Sequence, residues 1–382
     1  MDRQERKSCN IAVFDGPQLP LRLTEVEVPR LGTGQVLVRN EYTTLCRSDL
    51  NTFCGKRTER TPTILGHEIV GRIAAFGPEA PSRDLRGVPL RAGDRVTWAI
   101  YASDPQSDLS RRGFPQKGAG LVKYGHEPLT AESTLHGGLG EYCLLRAHTP
   151  IVRLDEAVPL PVAATVNCAL ATVAGAVRLA GDLAGRSVAV CGAGMLGVYA
   201  CAVSKAASAA RIVALDTNPD RLETARLFGA DETVLTPAGD TPWPAPPASA
   251  AGRDFDVVLE FSGVPQAMEA TLDWLTIGGT AVWVGATFPQ RSSHINAEQV
   301  IRRLLTIKGL HNYHQHDLLA AVAFIEDHHR AYPFHRLIRD RFTLLQVNEA
   351  FAYALASGAY RVGIRMAESA DSHRSTCQSS HL

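Results

Sequence analysis

The stretch VAVCGAGMLG, residues 188–197, decides how the chain is read. Its glycines, Gly192, Gly194 and Gly197, stand in GxGxxG spacing, which alone is a weak signal. Here it follows an apolar strand, Ser187–Cys191, and opens an Ala-rich helix running to about Ala207. A second strand, Arg211–Leu215, then ends against Asp216, so an acidic residue lies about 20 positions on, as in a dinucleotide-binding turn. Gly192 permits the tight turn, Gly194 lets the backbone approach a pyrophosphate, and Gly197 lets helix and strand pack closely. Met195 and Leu196 begin the helix, whose free N–H groups and positive dipole end would face the diphosphate. Asp216 would accept hydrogen bonds from the adenosine ribose hydroxyls. Its charge would repel a 2′-phosphate, which favours NAD over NADP. Arg221 stands close enough to aid phosphate binding, so NADP stays open.

Beyond this turn, Pro219–Phe228 reads as a helix, and Phe255–Phe261, Thr280–Val284 and Leu305–Leu310 read as strands. Strands alternating with helices point to a doubly wound parallel sheet. Upstream the pattern differs. Ile11–Phe14, Gln35–Tyr42, Glu68–Phe76 and Asp94–Ala99 are short β segments parted by Gly/Pro turns, which makes a mostly β module. Residues 101–135 read as polar loop and Val162–Leu179 as a connecting helix. The Pro/Ala-rich stretch 236–251 reads as an exposed insertion, and the Ser/His-rich tail from Ala367 as disordered.

Composition excludes several classes. Lys+Arg and Asp+Glu number 39 each over 382 residues, so no basic excess marks a nucleic-acid binder. The N-terminus MDRQERKSCN lacks the apolar run of a signal peptide, and no stretch of 18 consecutive apolar residues follows; the expectation is a cytoplasmic chain with no membrane partner. The eight cysteines are scattered without a CxxC pair, so most are expected to be buried small hydrophobes.

Two further strings carry chemistry. LCRSDL holds Cys46, Ser48 and Asp49; ILGHEIVG holds Gly66, His67 and Glu68. With HGGLGEY (His136–Tyr142) and Cys168 in VNCALATVAGA, the chain from about residue 11 to 366 resembles the zinc-dependent medium-chain alcohol dehydrogenases. That resemblance implies an α/β chain: a GroES-like, mostly β catalytic domain plus a Rossmann doubly wound parallel sheet. The catalytic domain would span residues 1–168 and 310–382, and the NAD-binding domain 169–309. It implies that Cys46, His67 and Cys168 hold one catalytic Zn²⁺ with an open fourth position, where zinc polarises the substrate oxygen. Asp49 would orient His67, Glu68 would sit beneath the metal, and Ser48 would hydrogen-bond the substrate oxygen and pass its proton on. Arg47 and Arg361 would reach the cofactor pyrophosphate. A homodimer or homotetramer built by edge-strand pairing is also implied.

Three departures from the family pattern stand out. Asn51 occupies the position where many relatives carry a relay histidine, so the proton is expected to leave through cofactor hydroxyls and water. The four cysteines of the family's structural zinc lobe fall on Asp104, Ser107, Ser110 and Gly118, so that lobe is expected to be metal-free. Cys168 is a thiol where polyol dehydrogenases place glutamate, which speaks against a sugar-alcohol substrate.

FCGKR (Phe53–Arg57), PQKG with KYGHE (Pro115–Glu127) and GLHNYHQHDL (Gly309–Leu318) resemble a narrower subgroup, the alcohol dehydrogenases associated with phosphonate metabolism. An anionic alcohol such as a hydroxyalkylphosphonate would then meet Arg57, Lys123, His126 and His314. The alternatives are a zinc-free NAD(P)-dependent quinone or enoyl reductase of the same superfamily, and a dinucleotide-binding protein without turnover.

Overall fold

In the computed structural model, which describes residues 7–130, 133–237 and 255–366, the glycine fingerprint sits in the middle of a six-stranded parallel sheet. The strand order is Glu232–Leu235, Arg211–Asp216, Ser187–Cys191, Phe255–Glu260, Leu275–Trp283, Thr306–Gly309. Ser187–Cys191 therefore pairs with Arg211–Asp216 on one side and Phe255–Glu260 on the other. This is the point where the strand order reverses, and ligands of such sheets bind at the crevice beyond those strand ends. The strands are apolar on both faces because helices cover both; Val188, Val190, Ile212, Val257 and Leu259 are fully buried.

The second sheet belongs to the mostly β module. Its central strand, Val36–Leu45, pairs antiparallel with Glu68–Phe76, with Tyr142–Leu145 and with Arg361–Arg365. The chain thus returns near its C-terminus to complete the sheet with which it began. Ile338–Thr343 flanks that returning strand, while Arg95–Trp98 and Ile151–Arg153 extend the other edge.

Most expected elements are found within a residue or two. The differences have physical reasons. Arg22–Glu27 is a strand paired to Ser8–Val13 that no pattern announced, since its largely polar residues leave one side solvated and the other only partly covered. Leu275–Trp283 begins well before Thr280, running through Gly278 and Gly279. Within 101–135, Asp108–Arg111 and Pro115–Lys117 form short helical turns and Tyr101–Ala102 pairs with Val122–Lys123. The insertion at 236–251 lies almost wholly outside the described residues, as does the tail from Ala367.

The connecting helix is not uniform. Val166–Leu170 is a π-helical turn, in which Leu170 N–H bonds Thr165 O at 3.3 Å, and regular α-helix resumes over Ala171–Ala180. Taken as Leu160–Ala180, this segment has the length and apolarity of a membrane span, yet 67% of its most apolar window is buried inside the fold, as in a core helix.

Candidate active site

The two metal-site motifs meet through the second sheet. Cys46 caps the short helix Arg47–Phe53 just after the central strand ends, and His67 immediately precedes the neighbouring strand Glu68–Phe76. Cys168 comes from the π-helical turn, an irregularity that frequently marks functional positions. One ligand atom from each of Cys46, His67 and Cys168 lies within 4.8 Å of the others. Bonds of about 2.0–2.3 Å from a tetrahedral zinc suit such a set of two sulfurs and one imidazole.

The surroundings fit a cation. The Cys168 thiol donates to Cys46, and with Arg361 and His67 it draws Cys46 well below the ordinary thiol range despite burial; Cys168 itself is raised. Burial would lower His67, but Asp49 and the Cys46 sulfur outweigh it and hold it above the ordinary range. Asp49 Oδ1 stands 3.5 Å from His67 Nδ1, long for a hydrogen bond but within ion-pair reach. The same carboxylate accepts from Cys46 N at 2.8 Å and Gly66 N at 3.2 Å, so it ties the two motifs together. Ser48 Oγ lies 3.3 Å from His67 Nε2, on the ligand side of the ring.

Glu68 is fully buried, accepts from Thr44 Oγ1, and is lifted to about 7 by burial against the pull of Arg361. Arg361 was expected at the pyrophosphate. Its guanidinium is instead engaged: Nε and Nη2 bind Glu68 at 2.6 and 2.7 Å, Nη1 donates to Tyr360 O at 2.8 Å, and Nη2 reaches Cys46 Sγ at 3.5 Å. No fork is left over for a phosphate, although the side chain still borders the cleft.

That cleft, about 540 Å³, runs from Cys46 and Arg47 past Gly192, Gly194 and Gly197 to Asp216 and Arg221. Gly192 has φ +90°, where a Cβ would press on Ser262 N, and a Cβ on Gly197 would overlap the Gly192 carbonyl. A Cβ on Gly194 would meet nothing within 4 Å, so this glycine borders open cleft. Met195 and Leu196 start the helix at the cleft wall. The Asp216 carboxylate accepts from Ala193 N at 2.7 Å and Asn218 N at 2.9 Å, which fixes the glycine turn to the second strand. Arg221 lies over the Tyr360 ring, 5.7 Å from its centroid.

The four expected anion contacts separate. Arg57 and His126 converge on Glu59, each at 2.9 Å, and Lys123 is close enough to feel Arg57 and Glu59. The His126 ring lies 5.0 Å from that of His67. His314 is elsewhere: it caps the helix Gln315–His328, accepting from His316 N at 3.1 Å. In its place the structure brings Lys117 and His311, with Nζ 2.6 Å from Nδ1. Both lie inside the strings quoted above.

Asn167 was also missed. Its Nδ2 donates to His67 O and Trp98 O, both at 3.0 Å, so the residue before Cys168 clamps the backbone at His67. The positions of the family's second metal lobe do gather, but as hydroxyls. Ser107 and Ser110 donate to Asp104 O at 2.9 and 2.7 Å and lie 2.9 Å apart, packed over Gly118.

Comparison with known proteins agrees with this geometry. Residues 32–156 match the family model for the alcohol dehydrogenase GroES-like domain, and residues 196–327 that for zinc-binding dehydrogenase. An L-threonine 3-dehydrogenase of Aeromonas salmonicida is 30% identical over 76% of this chain and 80% of its own. One from Ruegeria pomeroyi is 27% identical over 90% of this chain and 95% of its own. In fold, a crystal structure of an alcohol dehydrogenase from Thermotoga maritima superposes with TM-score 0.85 at 23% identity, covering 94% of this chain and all of that one. With both family models matched, and a largely buried Cys–His–Cys cluster whose Cys46 lines a dinucleotide-type cleft, the chain belongs to the zinc-dependent medium-chain dehydrogenases.

Proposed function

We propose that the protein is an alcohol dehydrogenase that passes hydride between a small alcohol and NAD, using one zinc held by Cys46, His67 and Cys168. The observation that carries this reading is the single cleft in which Cys46 faces the glycine turn 192–197. When bound, zinc would polarise the substrate oxygen and ease loss of its proton. Asp49 holds the His67 ring in orientation, and the Glu68–Arg361 pair sets the field behind Cys46. Ser48 Oγ stands beside the cluster to take the hydroxyl proton. Asn51 cannot carry it further by titrating, so the route onward would need the hydroxyls that a bound cofactor supplies, or water. The helix start at Met195 and the Arg47 side chain would hold a diphosphate, and Asp216 with Arg221 would border the adenosine end; all four line the cleft.

On this reading the catalytic domain is formed by residues 1–168 and 310–382, and NAD binds to 169–309. Subunits would pair along the sheet edge at Thr306–Gly309, which native mass measurement tests. The substrate we favour is an anionic alcohol. L-threonine, the substrate named for the relatives, is a second reading, but its ammonium would face Arg57 and Lys123.

Metal analysis of the purified protein, followed by NADH absorbance across an alcohol panel including L-threonine, tests the proposal. One zinc per chain with NAD-dependent turnover is expected. Two zincs would overturn the reading of 104–118, and turnover without zinc would favour the zinc-free reductase.

A further inference from the structure

Two passages carry the chain between its large sheets. One leaves the β module through residues 154–186, and the other returns from Thr306–Gly309 through residues 310–337. Cys168 lies on the outward passage and Tyr313 on the return, and they meet at the π-helical turn. There Leu170 N reaches Thr165 O and Ala171 N reaches Val166 O, the spacing that defines such a turn. The next carbonyl, that of Asn167, accepts a hydrogen bond from the Tyr313 hydroxyl. The same hydroxyl oxygen accepts from Ile100 N at 3.0 Å. Tyr313 is fully buried, so both contacts are made away from water.

The Asn167 side chain completes the arrangement. Its Oδ1 accepts from Ile69 N at 3.3 Å, while its Nδ2 holds His67 O and Trp98 O. One hydroxyl and one carboxamide therefore fix the backbone at His67 and Ile69, at Trp98 and Ile100, and directly before Cys168. Two of the three clustered side chains hang from this pair. Tyr313 is itself firmly held. Asn312 before it has φ +58°, a left-handed conformation that Asn tolerates better than most residues. Beyond it, buried Asp317 receives Arg178 at 2.6 and 3.0 Å and accepts from His314 N at 2.8 Å. The tyrosine ring packs against that of Tyr101, with centroids 6.2 Å apart.

We propose that Tyr313 is a positioning residue of the active site: its hydroxyl fixes the Asn167 carbonyl and thereby where the π-turn presents the Cys168 sulfur to Cys46 and His67. Serving a carbonyl and an N–H from one atom requires a group that both donates and accepts. A hydroxyl does this, whereas an ammonium or a carboxylate does not. Phenylalanine would keep the ring but leave the Asn167 carbonyl and the Ile100 N–H without this partner, and the turn would shift to relieve them. Such a shift reaches Cys168 through a single peptide bond. The inference rests on the proposed zinc reading of Cys46, His67 and Cys168.

Purified wild type and Tyr313→Phe would be stripped of metal and reloaded with zinc or, separately, with cobalt(II). Expected in Tyr313→Phe is zinc affinity about 10- to 100-fold lower, read by competition with a chromophoric chelator. The thiolate charge-transfer and ligand-field bands of the cobalt protein should also shift, because they report how the two sulfurs are placed. Unchanged cobalt bands, even beside weaker zinc binding or a lower urea midpoint, would make Tyr313 a stabilising hydroxyl only and overturn the proposal. Unchanged zinc affinity would do the same. Coupling is reciprocal, so wild type gives a second reading should the variant not fold: zinc should slow amide exchange at Ile100 by about tenfold or more. Exchange there that ignores zinc would equally overturn the proposal. Wild type that takes up no zinc would end the ligand assignment itself, whereas uptake that Tyr313→Phe leaves intact ends only the role of Tyr313.

Discussion

Arg361 and Glu68 meet in a two-point ion pair, 2.6 and 2.7 Å, buried directly behind the Cys46 sulfur. The arginine comes from the strand that returns at the end of the described chain, and the glutamate opens the strand after His67. Removing one partner strands a buried charge, which costs about 3–5 kcal/mol. Arg361→Met should therefore lose roughly that much in urea unfolding, and the double variant with Glu68→Gln should lose clearly less than the sum of the two singles. Strict additivity would show that the pair is not coupled.

Asp49 reaches three groups at once: Cys46 N, Gly66 N and His67 Nδ1. Asp49→Asn keeps the size but loses the charge facing the imidazole. Zinc affinity, read by competition with a chromophoric chelator, should fall about 10- to 100-fold. Unchanged affinity would mean that the backbone alone orients His67.

The serine-lined lobe is closed by hydroxyls packed over Gly118. A methyl there would press on Ser110 Oγ, so Gly118→Ala should loosen the lobe at a cost of about 1–3 kcal/mol. Trypsin should then cut faster at Arg111 and Arg112. Zinc content should hold at wild-type level. A parallel loss of zinc would contradict the reading of this lobe as metal-free.

Glu260, at the end of Phe255–Glu260, is fully buried and is raised from its ordinary 4.5 to about 7, chiefly by burial, although Ser262 and Gly263 donate to it. The folded state therefore holds this proton across a window where the unfolded chain has released it. Its contribution to stability is complete below the unfolded value and is lost as pH rises through about 7. Between pH 5 and 8, wild type should lose on the order of 2 kcal/mol relative to Glu260→Gln, whose side chain does not ionise. Parallel urea midpoints for the two proteins over that range would refute the shift.

What the sequence discloses here follows the range of the physics. The glycine turn is set by local backbone geometry, so Gly192 and Gly197 were legible with their roles attached. Cys46, His67 and Cys168 were legible through family motifs, not through spacing. His314 caps the helix Gln315–His328, a role no local rule announces because histidine is not among the side chains that usually start helices. Lys117 with His311 and Arg361 with Glu68 join positions 194 and 293 residues apart, and no local pattern encodes such contacts. The strand Arg22–Glu27 escaped for a different reason, since a polar edge strand buries too little to leave a period.

The π-helical turn over Val166–Leu170 carries a consequence for how this chain can change length. A π-turn holds one residue more than the α-turn it interrupts, and one residue corresponds to about 100° of helical rotation. Deleting a single alanine between Cys168 and Ala171 would relax the turn to regular helix and leave every side chain in Ala171–Ala180 chemically intact. It would nonetheless swing Cys168 out of phase with His67 and Cys46. On the proposed reading, the place of Cys168 in the cluster is specified by a count of residues as much as by its sulfur, and a frame-preserving indel here would silence the site more completely than many point substitutions.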